Sequence, residues 1–262
     1  MKKLAVFVAD SGLEPFPSIK SEVKGIHLDL DSESTEVFFI SGEDRREPAL
    51  SKISDKLRYT KFWPAQYSVD NFTLKALSLR EIKTRESGNT LLVRRSKEGL
   101  RYLGRNFLAA TRYAYSNEYE FMLKTTISSV FNPRKLHDFL ETHNHRAPLY
   151  AGRKIMPPKG RVRKNFAFVS GSCVLLNREA MKLVLDNNQS WDHGVLDDVA
   201  LGKLLHTKVP ITEFPSVDLS SISSVKTLSE ENFQNIVHFR CKSEQLPRND
   251  SEIMKLVFNR AR

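Results

Sequence analysis

The sequence predicts an α/β fold: one sheet covered by helices, in a single domain spanning 1–262. Three observations predict it. Short β-rich runs alternate with amphipathic helical patterns almost from end to end. A chain of 262 residues with 40% hydrophobic and 27% charged residues has the balance of a globular domain and can bury a sizeable core. Neither an internal repeat nor a low-complexity linker divides it.

The elements follow in order. LAVFVAD (4–10) is a buried first strand. Met1, Lys2 and Lys3 imitate the start of a secretory signal, but the apolar stretch meets Asp10 too soon and lacks a small-residue cleavage site. EVFFISG (36–42), TLLVRRS (90–96) and EFMLKT (120–125) are further strands. In GLRYLGRNFLAATRYAY (99–115), Leu100, Leu103, Phe107, Leu108 and Ala114 recur at helical spacing, so one face packs on the sheet. PRKLHDFLETH (133–143) is a helix with Pro133 in its first turn and Leu136, Phe139 and Leu140 facing inward. FAFVSGSCVLL (166–176) is a strand interrupted by Ser170, Gly171 and Ser172, and the helix REAMKLVLDN (178–187) follows it. LDDVALGKLLHTK (196–208) is a helix opened by two aspartates, ITEFP (211–215) a closing strand, and SEIMKLVFN (251–259) a last helix capped by Asp250 or Ser251. The basic loop 153–165, with two prolines and a glycine, is the least structured segment.

Composition excludes several classes. Apolar runs fall far short of the roughly 20 residues of a membrane-spanning helix. Two cysteines, Cys173 and Cys241, are too few for a disulfide framework and wrongly spaced for zinc, which points to a reducing compartment, the cytoplasm by default. The formal charge of +10 is concentrated. Arg146, Arg153, Lys154, Lys159, Arg161, Arg163, Lys164 and Arg178 occupy a stretch with no Asp or Glu, so an anionic partner is expected there: nucleic acid, a phospholipid surface, or the phosphates of a small donor. Only Tyr150 and Phe166 to Phe168 offer aromatics for base stacking and no RNA-binding signature occurs, so nucleic acid is set aside, while an anionic membrane surface stays a candidate for a peripheral protein. No P-loop, GxGxxG, GxSxG or HExxH motif is present.

Three features carry candidate chemistry. Asp197 and Asp198 open a helix, where one carboxylate suffices as cap and the other is left as a general base. Ser170-Gly171-Ser172 inside an apolar strand marks either a bulge or a place where a ligand lies against the backbone. His137, His143 and His145 cluster in a loop after a helix and read as solvated.

The order of TLLVRRSKEGLRYLGRNFLAATRYAYSNEYEFMLKTTISSVFNPRKLHDFLE, LYAGRK, FAFVSGSCVLLNREAMKLV and LDDVALGKLL resembles inverting β-1,3-glycosyltransferases of the Fringe and β-1,3-galactosyltransferase type over roughly 90–205. The resemblance implies a GT-A-like fold, with a mixed, mostly parallel sheet flanked by helices, a nucleotide-sugar half (1–130) and an acceptor half (131–262). It implies a hexosyltransferase of polysaccharide biosynthesis, moving a sugar from a nucleotide-sugar donor to a hydroxyl of a glycan or glycolipid with inversion. A non-catalytic nucleotide- or sugar-binding relative is the alternative. By the same resemblance Asp198, beside Asp197, is the base; Arg105, Thr125, Thr126, Ser128, Ser129, Lys154, Ser170 and Gly171 contact the donor; and His238 completes a metal site. The family's aspartate triplet, however, is replaced by Thr126-Ile127-Ser128, and Asp29-Leu30-Asp31 lies in the wrong place. Hard cations want anionic oxygens, so the expectation is either no required cofactor or weakly held Mn²⁺ or Mg²⁺, with Arg and Lys neutralising the leaving diphosphate.

Overall fold

The computed structural model describes residues 3–9, 16–42, 84–94, 96, 102–143, 147–156, 166–244 and 248–261. Asp10, Leu100, His145, Arg146 and the cations Lys159, Arg161, Arg163 and Lys164 lie outside the described residues.

β1 (Leu4–Ala9) is buried along its whole length, as a run of continuous apolar residues requires when both faces of a parallel strand are covered. It pairs in parallel with β2 (Thr35–Gly42) on one side and β5 (Phe121–Thr126) on the other. Outside β2 lie β4 (Thr90–Val93), also parallel, and then β3 (Thr84–Ser87), antiparallel. Outside β5 lie β8 (Phe168–Asn177) and β7 (Tyr150–Ile155), each antiparallel to its inner neighbour, and last β9 (Ile211–Thr212). The described sheet thus has eight strands in the order β3-β4-β2-β1-β5-β8-β7-β9, and is the mixed sheet expected. It draws strands from both ends of the chain. A second sheet, β10-β11-β6, joins β10 (Ser216–Leu219), β11 (His238–Cys241) and β6 (Ser129–Phe131).

Alternation along the strands divides the core into two layers. Leu4, Val6, Val8 and Leu123 face α1 (Phe16–Leu28), α3 (Pro133–Thr142), the C-terminal helix and the small sheet. Phe7, Met122, Val174 and Leu176 face α2 (Leu103–Ser116), α4 (Arg178–Asp186) and α5 (Asp197–Leu205). α6 (Ile222–Lys226), α7 (Glu230–Asn235) and α8 (Asp250–Ala261) complete the fold, with side-chain caps from Ser221 on α6 and Ser229 on α7. No described helix is long and apolar enough to cross a membrane.

The predicted strand 211–215 shortens to Ile211–Thr212. Pro215 has no N–H for a ladder, and its carbonyl instead accepts from Val237 and His238, drawing the chain into the small sheet. Both cysteines are buried and free, Cys173 in β8 and Cys241 in β11, and burial pushes both thiols far above their ordinary range.

Candidate functional site

Helix α5 sits flat on β8 because Gly202 leaves room: a Cβ there would fall 2.3 Å from the Cβ of Phe168. One turn earlier on the same helix face stands Asp198, directly over Gly171. The Gly171 N–H donates to Asp198 Oδ2 at 2.8 Å, and the Val199 N–H donates to Oδ1 at 2.8 Å. A Cβ on Gly171 would lie 3.0 Å from Asp198 Oδ2, so the small residue is needed for this approach. The approach to α5 is pinned by Asp192, which accepts from Lys203 Nζ at 2.7 Å and from the Gly194 N–H at 3.1 Å.

Sequence reasoning missed the group beneath. Lys124, in β5, donates from Nζ to the Gly171 carbonyl at 2.7 Å and pairs with Asp197 Oδ2 at 2.9 Å; the two side chains are only 3% and 5% exposed. A lysine in the middle of the apolar run FMLKTT was the available signal, because lysine is almost never fully buried unless paired. Asp197 is therefore no cap. The N-cap of α5 is Leu196, which has no side-chain hydrogen bond, and Asp197 points inward to Lys124. Asp198, in contrast, is only partly buried, and its pKa is raised above the usual aspartate value. Burial is the largest cause and Asp197 the next, opposed by Lys124 and by the two backbone N–H donors.

Four of the remaining expected donor residues, Thr125, Thr126, Ser129 and Ser170, take part in hydroxyl contacts beside this pair. Thr125 Oγ1 donates to the Ser172 carbonyl at 2.9 Å, and Ser129 Oγ donates to the same carbonyl at 3.2 Å. Ser129 Oγ is also 3.2 Å from Thr126 Oγ1 and 3.1 Å from His238 Nε2. Ser170 and Ser172 hydroxyls are 3.0 Å apart. Ser128 is turned elsewhere: its hydroxyl donates to Asp250 Oδ2 at 2.7 Å, fastening the start of α8. Arg105 is buried in α2 and donates from Nη2 to the Arg94 carbonyl at 3.2 Å. Lys154 is exposed on β7, 4.0 Å from Glu213, and its neighbour Arg153 pairs with Asp218.

His238 is 1% exposed, with Nδ1 3.2 Å from Ser216 Oγ and Nε2 held by Ser129. Burial lowers its pKa to about 3, so the ring is neutral. Its partners are hydroxyls and none is a carboxylate, so this donor set does not fit a resident divalent cation. Among the described residues, no group of three or more His, Cys, Asp or Glu is placed to hold a metal ion.

No family model and no curated protein matches the chain. Among solved structures it is similar to one described as the inositol-1-phosphate CTP transferase from T. maritima, with 13% identity and a TM-score of 0.47 over 99% of this chain and 96% of that one. The expected membership in the Fringe and β-1,3-galactosyltransferase type does not stand: no family model matches the chain. The geometry gives a physical reason. Where the aspartate triplet was sought, Thr126 bonds to Ser129, Ile127 is buried in the apolar core and Ser128 holds Asp250, so all three side chains are committed to the fold.

Proposed function

We propose that the chain is a nucleotide-dependent transferase that moves a sugar from a nucleotide-sugar donor to a hydroxyl of a glycan or glycolipid, with inversion. The observation that carries this reading is Asp198: a carboxylate of raised pKa, held by two backbone N–H groups on a face left partly open. A base whose pKa lies nearer the working pH takes a proton more effectively.

Its location supports a nucleotide ligand. From β1 the chain proceeds to β2 on one side of the sheet and, after β4, to β5 on the other. In open α/β sheets such a reversal leaves a crevice outside the carboxyl ends of the two strands, where nucleotides bind. The β5–β8 pairing runs out at Thr125 opposite Cys173, so Gly171 and the carboxylate above it lie at that carboxyl end.

In the proposed step, Asp198 takes the proton of the acceptor hydroxyl as that oxygen bonds to the anomeric carbon. The bond from this carbon to the diphosphate oxygen breaks, and its electron pair leaves with the nucleoside diphosphate. Attack from the face opposite the leaving group inverts the centre. Lys154 and the sequence cations from Arg153 to Lys164 are assigned to the departing diphosphate, since fixed guanidinium and ammonium groups stabilise charge as it builds.

The test is a panel of nucleotide sugars at millimolar concentration. A matching donor raises the melting temperature by mass action and releases its nucleoside diphosphate when an acceptor is supplied. If no nucleotide sugar shifts the melting temperature, the reading is wrong. Release of pyrophosphate from a nucleoside triphosphate would replace it with nucleotidyl transfer.

A further inference from the structure

We propose that Lys124 is the positioning residue of this site: it holds Gly171, whose N–H in turn holds Asp198, and it supplies a buried positive charge that favours the Asp198 carboxylate over the acid. The inference rests on the proposed function for what Asp198 does, but its own evidence is geometric. Lys124 Nζ donates to the carbonyl of Gly171, while the N–H of the same residue donates to Asp198 Oδ2. One glycine therefore joins the ammonium and the carboxylate, and each hydrogen bond restrains the position of the other. The second arm of the ammonium, to Asp197 Oδ2, prevents two adjacent carboxylates from facing each other uncompensated.

The groups around Asp198 make the expected sign definite. From its own helix comes Asp197, and from β5 comes Lys124. β8 supplies the Gly171 N–H, and β7 supplies Tyr150, whose hydroxyl accepts from the Val169 N–H and stays protonated. α2, packed against α5, carries Arg105, which donates to Arg94. Burial and Asp197 favour the protonated acid; Lys124 is the side-chain charge that opposes them. Without it, Asp198 would hold its proton to higher pH and be a poorer acceptor at a given pH below its own midpoint.

The experiment needs no substrate. The full chain, carrying ¹³Cγ-labelled aspartate, is titrated by NMR, with Asp198→Asn identifying the resonance. Lys124→Met is expected to raise the Asp198 midpoint by about one pH unit, as the loss of a nearby opposite charge does. An unchanged midpoint overturns the proposal. Lys124→Met leaves Asp197 buried without a partner and can fail to fold, so the second comparison is Asp197→Asn against Asp197→Asn with Lys124→Met. In that pair the added loss of Lys124 must again raise the Asp198 midpoint, and equal midpoints overturn the proposal. A moved midpoint with no nucleotide-sugar turnover removes the proposed function alone. Turnover with an unmoved midpoint removes this inference alone.

Discussion

Two neighbouring aspartates have opposite surroundings, and the difference is visible in their partners. Asp197 is enclosed with Lys124, whereas Asp198 is held by backbone N–H groups and keeps one side open. Replacing Asp198 with Asn should abolish transfer, a loss of about 10² to 10⁴ in rate for a positioned base, while the melting shift produced by a nucleotide sugar remains. Asp197→Ala should instead destabilise the fold by about 3 to 5 kcal/mol, because it strands a buried ammonium. Urea unfolding measures this, and a cost below about 1 kcal/mol would return Asp197 to the role of a helix cap. The sequence assigned one of the pair to capping, whereas α5 has no side-chain cap and neither aspartate serves as one. A side-chain cap leaves a visible residue type, whereas the Lys124 partnership spans 73 positions, from 124 to 197, and is made by packing.

At the scale of elements, the site exists because a helix lies close on a strand. Gly202 and Gly171 are the two places where that closeness leaves no room for a methyl group. Gly202→Ala forces α5 away from Phe168 and should cost about 1 to 3 kcal/mol, the usual range for overpacking. Gly171→Ala meets the carboxylate itself, so its expected effect is mainly on turnover, with a smaller change in denaturation midpoint; equal losses of both would show that the contact matters only for packing. Several strands and helices were legible from their periodicities, with β1, β2, β5 and α3 within a residue or so of expectation, but α1, β3 and β7 were not anticipated. The small sheet was not. β10 and β11 are four-residue strands whose pairing depends on Pro215 and on the return of β6, and no local pattern announces such partners. The hydroxyl network was half legible: its residues stood out as small and polar in apolar runs, but their mutual bonding depends on the register of β5 against β8.

For the whole molecule, two histidines that the fold buries neutral lower stability at acid pH. His27, on α1, lies 3.0 Å from the Ile127 carbonyl, and burial lowers its pKa to about 4; that of His238 falls to about 3. Unfolding exposes both to water, where each binds a proton near pH 6.5. Between that pH and about 4 the unfolded chain therefore holds more protons than the folded one, so stability falls as pH falls, by up to about 1.4 kcal/mol per pH unit for each histidine. Urea midpoints measured from pH 7 down to 4.5 should show the decline, and His27→Gln should make it shallower; an unchanged slope would mean that His27 already titrates in the native state. The two cysteines provide a different record of the same molecule. Each sheet contains one thiol, shielded from water and held protonated, so a disulfide reagent such as DTNB finds no thiolate until that sheet opens. With Cys241→Ser the colour reports only on β8, and with Cys173→Ser only on β11. The pair of rates becomes a two-channel clock, distinguishing a molecule whose sheets come apart together from one that sheds the smaller sheet first.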